Sequence, residues 1–589
     1  MASLKVTHRS TAVLLYQRLP ALVLCLWFVV VMHIYLPNGG GIGLNLPLNV
    51  LTWMAMAGVA LVIWQCRPKN KYLTTTLAGR LFFIGAALLF IPLAYTQSGW
   101  LAQAGWRLAG LAGGLLFYFT LSQYRMPLRF RRLQLQLQMM LCAVALQAAL
   151  TLCQLFWPGL AQTWMEYVPG GRPYGIFQQP NVLGSFIAMG VALALMLWLQ
   201  PPFRLSGRVA ERWRSRLLAG LLLLLPAVLV WVQSRTGWLA GGAAAVFMLL
   251  AYWRAAPRRC LAAALFMASG AGAALVVLRL GLLTGWGLSQ VSHVVSNHAR
   301  YTMLRDTLAM IAEKPWSGWG YGGFEFSFQH FRVHQAVPTA VTEIARHPHN
   351  ELLLWWMEGG VVALAGVGLF IAGGIILLRQ TLRLAQGERR REAIALFLVL
   401  LPLLLHSQTE YPFYLSFPHW MAFLTLLAML ERRAMPVMRR RRLSPCWRMP
   451  LSRGIQALAL ATLVMMAGAL SGGYTLTLAE RDGFRLMDEV DAMSWFSDWA
   501  YRDRRQFDQQ MSSLLTFNQT GDERRLQQYA SWAEHYLQRR VDANVYATLI
   551  QILQYQQQDV PAEQQRREAA LLFPKDTRFQ PMTSDEGAL

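Results

Sequence analysis

The segment His347-Pro348-His349-Asn350 stands where a polar stretch gives way to a long apolar run. An imidazole at such a boundary titrates near neutral pH and can serve as a general base. A metal site is a rival reading, although no clear third ligand accompanies the pair and two histidines spaced i,i+2 do not share one face of a helix. A third reading makes Asn350 a helix cap and both histidines incidental. Arg235 lies in Ser234-Arg235-Thr236-Gly237, a short polar break between two apolar runs. There it either snorkels to an interface or grips the oxygens of an anion bidentately. Arg172 precedes a Pro-Tyr-Gly turn, and Arg300 and Arg305 share a stretch, Ser289–Met310, that reads as helical. Singly each is a solvated surface charge; together with Arg235 they make a cationic pocket for a pyrophosphate. The same segments hold no acidic pair or Asp-x-Asp suited to a divalent ion. Neither metal nor other cofactor is therefore expected, and arginine supplies the neutralising charge. Gln179 and Asn181 flank Pro180 at a helix start, as caps or as amides for a sugar or phosphate. Glu410, in His406-Ser407-Gln408-Thr409-Glu410-Tyr411-Pro412, is either a solvated loop carboxylate or the partner of a catalytic group. Glu351 and Glu358, seven residues apart, fall near one helical face.

These residues punctuate a strongly apolar chain. Of 589 residues 55% are hydrophobic and only 14% charged, where a soluble chain carries about a quarter charged. Apolar runs of spanning length fall at about 13–36, 46–65, 81–98, 106–123, 135–157, 181–200, 217–234, 238–254, 260–280, 352–377, 392–407, 412–431 and 454–475. The pattern predicts an all-α polytopic membrane protein of about thirteen spanning helices. The first run lacks a small-residue cleavage site after it and reads as a retained helix.

The charge distribution orients the chain. Residues 475–589 hold 13 basic and 18 acidic residues, so the remainder carries +29 of the net +24. That positive charge sits in clusters in every second loop, the richest being Arg432, Arg433, Arg439 to Arg442, Arg448 and Arg453. Such alternation is the positive-inside signature. It predicts a cytoplasmic N-terminus and a bacterial inner-membrane location. The candidate residues and the C-terminus then lie on the periplasmic side. No basic patch interleaved with aromatics sits on a soluble unit, so nucleic acid is not an expected partner. The six cysteines, Cys25, Cys66, Cys142, Cys153, Cys260 and Cys446, fall in spans or at the cytoplasmic side, and no disulfide framework is implied. Three outer segments stand out, Gly159 to Pro180, the long Gly281 to about Asn350, and a short turn around His406 to Pro412, and Ser234 to Gly237 is a fourth, minimal one. Within the second, Lys314 to Phe328 is rich in Gly and aromatics and reads as irregular.

After about residue 475 the composition changes. Residues 1–475 form the transmembrane part, including the loop 281–350, and 476–589 a separate helical domain. Helical pairs near Gly521–Arg540 and Ala543–Gln557 suggest a small tetratricopeptide-like unit, although no full consensus repeat is present; a plain helical cap is the alternative.

Four segments together resemble the Wzy/WaaL-type superfamily of membrane glycan transferases, which contains O-antigen polymerases, O-antigen ligases and PglL-type protein O-oligosaccharyltransferases. They are Arg172-Pro-Tyr-Gly-Ile-Phe-Gln-Gln-Pro-Asn181, Ser234-Arg235-Thr236-Gly237, Glu313-Lys-Pro-Trp-Ser-Gly-Trp-Gly-Tyr-Gly-Gly-Phe324, and His349-Asn350 followed by Gly360. Their order and spacing extend the resemblance over roughly residues 80 to 435. The Gln-Pro-Asn form, the His406…Glu410-Tyr411-Pro412 turn and the soluble tail look like the PglL-type branch. The resemblance implies a GT-C-like fold and a donor glycan carried on undecaprenyl pyrophosphate. The implied acceptor is a Ser or Thr hydroxyl of a pilin or other periplasmic protein. Arg235 and Arg300 would hold the pyrophosphate, and His349 would assist deprotonation of the acceptor, with inversion at the anomeric carbon. Asn181, Arg172, Gln179, Glu410, His347 and Asn350 would bind substrate, and Arg305 would replace Arg300 if the loop register differs. A ligase to lipid A-core or a polymerase is the alternative within the superfamily, and a transporter or flippase the alternative outside it. The last predicts internal repeats and broken helices near the midplane.

Overall fold

The computed structural model describes residues 18–65, 72–124, 130–284, 294–339, 341, 343–435 and 439–580. The chain is nearly all helical. Its first half runs through α1 (Arg18–His33), α2 (Pro47–Gln65), α3 (Leu77–Phe90), α4 (Leu101–Gln123), α5 (Phe130–Phe156), α6 (Pro158–Gln162), α7 (Pro180–Leu199), α8 (Arg208–Val232), α9 (Arg235–Tyr252) and α10 (Pro257–Thr284). Then come α11 (Val294–Glu313), α12 (Phe324–His334), α13 (Glu351–Arg383), α14 (Glu388–Ser407), α15 (Pro412–Leu415), α16 (Phe417–Ala434) and α17 (Pro445–Arg481). The tail adds α18 (Met487–Asp491), α19 (Trp495–Asp498), α20 (Arg502–Thr520), α21 (Glu523–Leu537), α22 (Ala543–Tyr555) and α23 (Asp559–Leu572). One antiparallel pair of short strands, β1 (Tyr72–Thr75) and β2 (Arg439–Arg442), joins the loops before α3 and after α16, with Tyr72 opposite Arg442.

Within the described residues, each of the thirteen apolar segments overlaps a helix. Eight helices in the described residues are long and apolar enough to cross a bilayer by themselves: those at α2, α3, α5, α7, α8, α10, α13 and α17. This is a multi-pass membrane protein. The other apolar segments lie on α1, α4, α9, α14 and α16, which are shorter or carry more polar residues. The described part of the Ser289–Met310 stretch is helical, as its pattern predicts, and residues 285–293 lie outside the described residues. The irregular segment expected at Lys314 to Phe328 is shorter than that. It ends at Gly323, and α12 begins at Phe324, because Phe324, Phe328 and Arg332 recur at helical spacing and are buried.

Helix α7 is the axis of the bundle. It is apolar on all sides and buried along nearly its whole length, so neighbours must surround it. Glycine brings one of them very close: a Cβ on Gly184 of α7 would lie 2.7 Å from the Ser234 side chain, and one on Gly237 of α9 would lie 3.1 Å from the Gly184 backbone. Small residues of this kind let helices in a bilayer approach closely. The approach sets Asn181, one turn earlier on α7, beside Ser234 at the start of α9.

Helix α13 is broken at Gly360, whose backbone (φ 64°, ψ −158°) suits glycine alone. The Gly-rich run 314–323 repairs the break. Trp319 N–H donates to Met357 O (2.9 Å), Gly320 N–H to Glu358 O (2.9 Å), and Val361 N–H to Trp316 O (3.1 Å). The Glu358 side chain accepts from Gly322 N–H (3.1 Å) and pairs with Arg107 of α4. The Arg107 guanidinium lies over Tyr321 (4.9 Å) and Trp355 (4.2 Å). The first two turns of α13 are thus a separate stiff piece, and that piece carries His349 and Asn350 at its start.

The tail helices bury Leu526, Tyr529, Ala533, Leu549 and Leu572 together with Val333 and Val341 of the long loop. Glu325 of α12 fastens the contact by accepting from Arg540 (2.8 Å) and from Val541 N–H (3.1 Å). Gly360→Ala places a methyl group against Trp316 O in a disallowed backbone state. It should cost about 2 kcal/mol or more, read as a lower thermal midpoint in detergent; an unchanged midpoint contradicts the role given to this break.

Candidate active site

Glu410 is the centre of the polar cluster at one end of the bundle. Only 2% exposed, it accepts from four side chains, on two other segments and on its own helix end. Asn181 Nδ2 donates at 2.6 Å, Gln179 Nε2 at 3.0 Å, Arg300 at 3.2 Å, and His406 Nε2 lies 3.2 Å away. Burial pushes the carboxyl's pKa up. The hydrogen bond and charge of His406, the bond from Asn181 and the charge of His349 outweigh burial and hold it at about 2. A buried carboxylate is tolerated only with this degree of pairing.

The neighbours are themselves fixed. Gln179 caps α7, accepting from Val182 N–H (2.6 Å), and Asn181 Oδ1 accepts from the Ser234 hydroxyl (2.9 Å). Ser234 caps α9, accepting from Gly237 N–H (3.1 Å). Arg172 donates to Gln233 O (3.0 Å), Val232 O (3.2 Å) and Asn181 (3.4 Å). Its pKa is lowered, first by burial and then by Arg300 and Arg235, with Glu410 opposing. Arg235, the first residue of α9, donates to Asn297 of α11. Asn350 caps α13, accepting from Leu353 N–H (3.0 Å), and donates to Gln408 O (3.1 Å) beside Glu410. Three helix N-termini, of α7, α9 and α13, therefore converge here, each carrying a partial positive charge.

The two histidines differ. His347 is buried, with its ring 4.4 Å from that of His349 and packed on Tyr411. Burial, then His349 and Arg300, lower its pKa well below the ordinary value, which keeps it neutral. It serves as a wall: its Nδ1 accepts His349 N–H (3.1 Å). His349 has a left-handed backbone (φ 54°), as do Gln178 (58°) and Gln233 (52°) next to the caps of α7 and α9. Non-glycine residues in that region mark strain held by their surroundings. Burial lowers the pKa of His349, Glu410 pulls it up, and Arg300 pulls it down again. Its Nδ1 is buried without a hydrogen-bond partner among the described residues.

Of the two loop arginines only Arg300 joins the cluster. Arg305 pairs with Asp306 (2.8 Å) and donates to Thr339, and Arg332 holds the other oxygen of Asp306 (3.0 Å). Behind Glu410 runs a chain of polar side chains that sequence reasoning missed. His406 Nδ1 lies 2.7 Å from Ser185 Oγ, Ser185 Oγ lies 3.2 Å from His419 Nε2, and His419 Nδ1 lies 2.8 Å from Ser416 Oγ. The available signal was a histidine inside an apolar run, and Ser185 one turn after Asn181.

Three family models match this chain. One described as protein glycosylation ligase covers residues 173–199, one described as O-antigen ligase covers 219–368, and one described as virulence factor membrane-bound polymerase, C-terminal, covers 394–584. Together these matches support the Wzy/WaaL/PglL-type superfamily for this chain. A relative within it, a general O-oligosaccharyltransferase of Acinetobacter baylyi (strain ATCC 33305 / BD413 / ADP1), is 24% identical over 340 residues. The match takes in 54% of this chain and 52% of that protein, so the chain spans about half the length of the curated relative it matches. The first two of these superfamily matches contain the Glu410 partners Gln179, Asn181 and Arg300, and the third contains Glu410 itself.

A general base must be neutral to accept a proton, and His349 titrates below 6.5. The acid limb of the pH–rate profile should therefore have its midpoint below 6.5, moving lower in Glu410→Gln and higher in Arg300→Gln. A limb at or above 6.5, unmoved in both variants, excludes His349 as that base. Arg300→Ala should lower turnover far more than Arg305→Ala, whose residue serves the Asp306 cluster; equal losses contradict the separation of the two roles.

Proposed function

We propose that this protein moves an oligosaccharide en bloc from undecaprenyl pyrophosphate to Ser or Thr hydroxyls of periplasmic or pilin proteins. The reading places it in the bacterial inner membrane with thirteen spans, a cytoplasmic N-terminus, and the Glu410 cluster and residues 476–589 in the periplasm. The observation that carries it is the concentration of positive potential around one neutral imidazole. Arg172, Arg235 and Arg300 lie close enough to act on one another, and the N-termini of α7, α9 and α13 meet beside them. One carboxylate, Glu410, offsets only part of that charge. A pyrophosphate matches the remainder.

In this mechanism the acceptor hydroxyl oxygen forms a bond to the anomeric carbon from the face opposite the pyrophosphate. The anomeric carbon–oxygen bond breaks, and its electron pair stays on the departing phosphate oxygen. The acceptor proton passes to His349. Arg235 and Arg300 stabilise the charge gathering on the leaving group, and Arg172, Asn181 and Gln179 orient the donor's polar head. Glu410 keeps Arg300 and the two amides in place. His347 and Asn350 hold the backbone of His349. The tail is a tetratricopeptide-like domain fastened to the long loop, next to where an acceptor protein would arrive.

The test is intact-protein mass spectrometry of periplasmic and pilin proteins from a host supplying a defined lipid-linked glycan. With the unmutated chain a glycan-sized mass increment should appear, falling about 100-fold or more in His349→Ala or Arg235→Ala at equal protein level. No increment on any protein, with altered lipopolysaccharide banding instead, moves the acceptor to lipid A-core or a growing glycan.

A further inference from the structure

A cavity of about 530 Å³ lies between α2, α4, α16 and α17. Its walls are apolar. Ala109, Gly110, Ala112 and Gly113 open it along α4; Ala57 and Ala60 do so on α2, and Ala459 on α17. On α4, Gly113 packs directly against Trp53 of α2, where a Cβ would lie 2.7 Å from the ring, whereas a Cβ on Gly110 would meet that ring only at 4.0 Å, which leaves room. The lining on α4 extends from Trp106 to Phe117 and on α17 from Ile455 to Met466. Eleven residues of helix rise about 16 Å, so the cavity is a slot parallel to the spanning helices.

Three features of the slot decide what fills it. Its lip faces outward, because Leu458 and Trp106, both lining residues, are 53% and 40% exposed. It is therefore continuous with the bilayer-facing surface, and the solvent at its mouth is hydrocarbon. Its polar groups are few and grouped at one end, where Asn45 and Tyr414 sit; Thr462 on α17 already donates its hydroxyl to Leu458 O (2.8 Å). Water in the slot would lack the two to four partners it needs. No lining residue comes from α7, α8, α9 or α11, the elements that carry Asn181, Arg235 and Arg300. The slot therefore shares no wall with the residues proposed to hold the pyrophosphate.

We propose that the slot is a binding site for one acyl chain of a bilayer phospholipid, with the headgroup at the Asn45–Tyr414 end. The occupant braces the junction with the tail. Ala500 also lines the slot, Trp499 packs on Trp106 (ring centroids 5.1 Å apart), and Trp499 Nε1 donates to Met465 O (3.1 Å) on α17. An acyl chain fills the space between α4 and α17 beneath this contact, so the same lipid touches the membrane bundle and the base of the tail.

The full chain is placed in phosphatidylethanolamine–phosphatidylglycerol vesicles containing a phosphatidylethanolamine with a diazirine in one acyl chain. After irradiation, adducts are mapped by peptide mass spectrometry. Adducts are expected on the slot-facing peptides of α2, α4 and α17. Ala112→Phe and Ala459→Phe, which fill the slot from two different walls, should each reduce them about tenfold. Adducts near Leu265 and Val276, both 58% exposed on α10, should stay unchanged. Because the two substitutions lie on separate helices, loss of folding in one leaves the other to decide. Absence of slot adducts in the unmutated chain, or adducts that persist in a folded filled-slot variant, overturns the proposal. Displacement of the adducts by undecaprenyl phosphate at the probe's own concentration also overturns it, by giving the slot to a prenyl chain.

Discussion

An ionised carboxylate buried at the end of an apolar bundle is costly unless its lone pairs are nearly all occupied. Glu410 meets that demand by drawing on Gln179 and Asn181 of α7, Arg300 of α11 and His406 of α14. These helices are far apart in the chain, and besides Glu410 the His406–Ser185 contact (2.7 Å) also links α14 to α7. The electrostatic requirement of one side chain thereby fixes where three elements end relative to one another. It also keeps Arg300 beside Arg172 and Arg235 in spite of their repulsion. The neutral state of His349 at physiological pH follows from the same balance, since burial outweighs the pull of Glu410 and Arg300 acts with burial.

The rest of the structure supplies stiffness rather than chemistry. Gly360 breaks α13 so that its first two turns stand apart, and the Gly-rich run 314–323 returns the lost backbone hydrogen bonds. The Arg107–Glu358 pair anchors that piece to α4. Chemically suggestive residues such as Glu358 and the Trp-Gly-Tyr-Gly stretch are therefore structural parts. Their task is to hold the turn carrying His349 and Asn350. Close contact between Gly184 and Gly237 does the same for Asn181 and Ser234. A membrane bundle lacks the hydrophobic driving force of a soluble core, so such close contacts and buried polar pairs must provide the precision.

Much of this was readable before any coordinates. Long apolar runs separated by arginine clusters fixed the helical segments, because a bilayer demands uninterrupted spans and allows few charges. Charged groups in polar breaks between spans stood out for the same reason, as with Arg235, His349 and Glu410. Pairings between distant segments were not readable. Arg300 and Arg305 lie on one helix with similar surroundings in sequence, and only the positions of Glu410 and Asp306 separate them. His347 and His349 are two residues apart; their difference is the packing of Tyr411 against one of them. Ser185 and His419 look like ordinary occupants of apolar helices, and their link to His406 exists only through the packing of α7, α14 and α16.

The most direct test of the dependence on Glu410 is a double-mutant cycle on kcat/KM for glycan transfer with Glu410→Gln, Arg300→Gln and both together. If the carboxylate works by holding Arg300, the double variant should be about as impaired as the worse single variant, a coupling of about 1–3 kcal/mol. Losses that simply add, to within about 0.5 kcal/mol, would show that the two residues act independently and would contradict the central role given to Glu410.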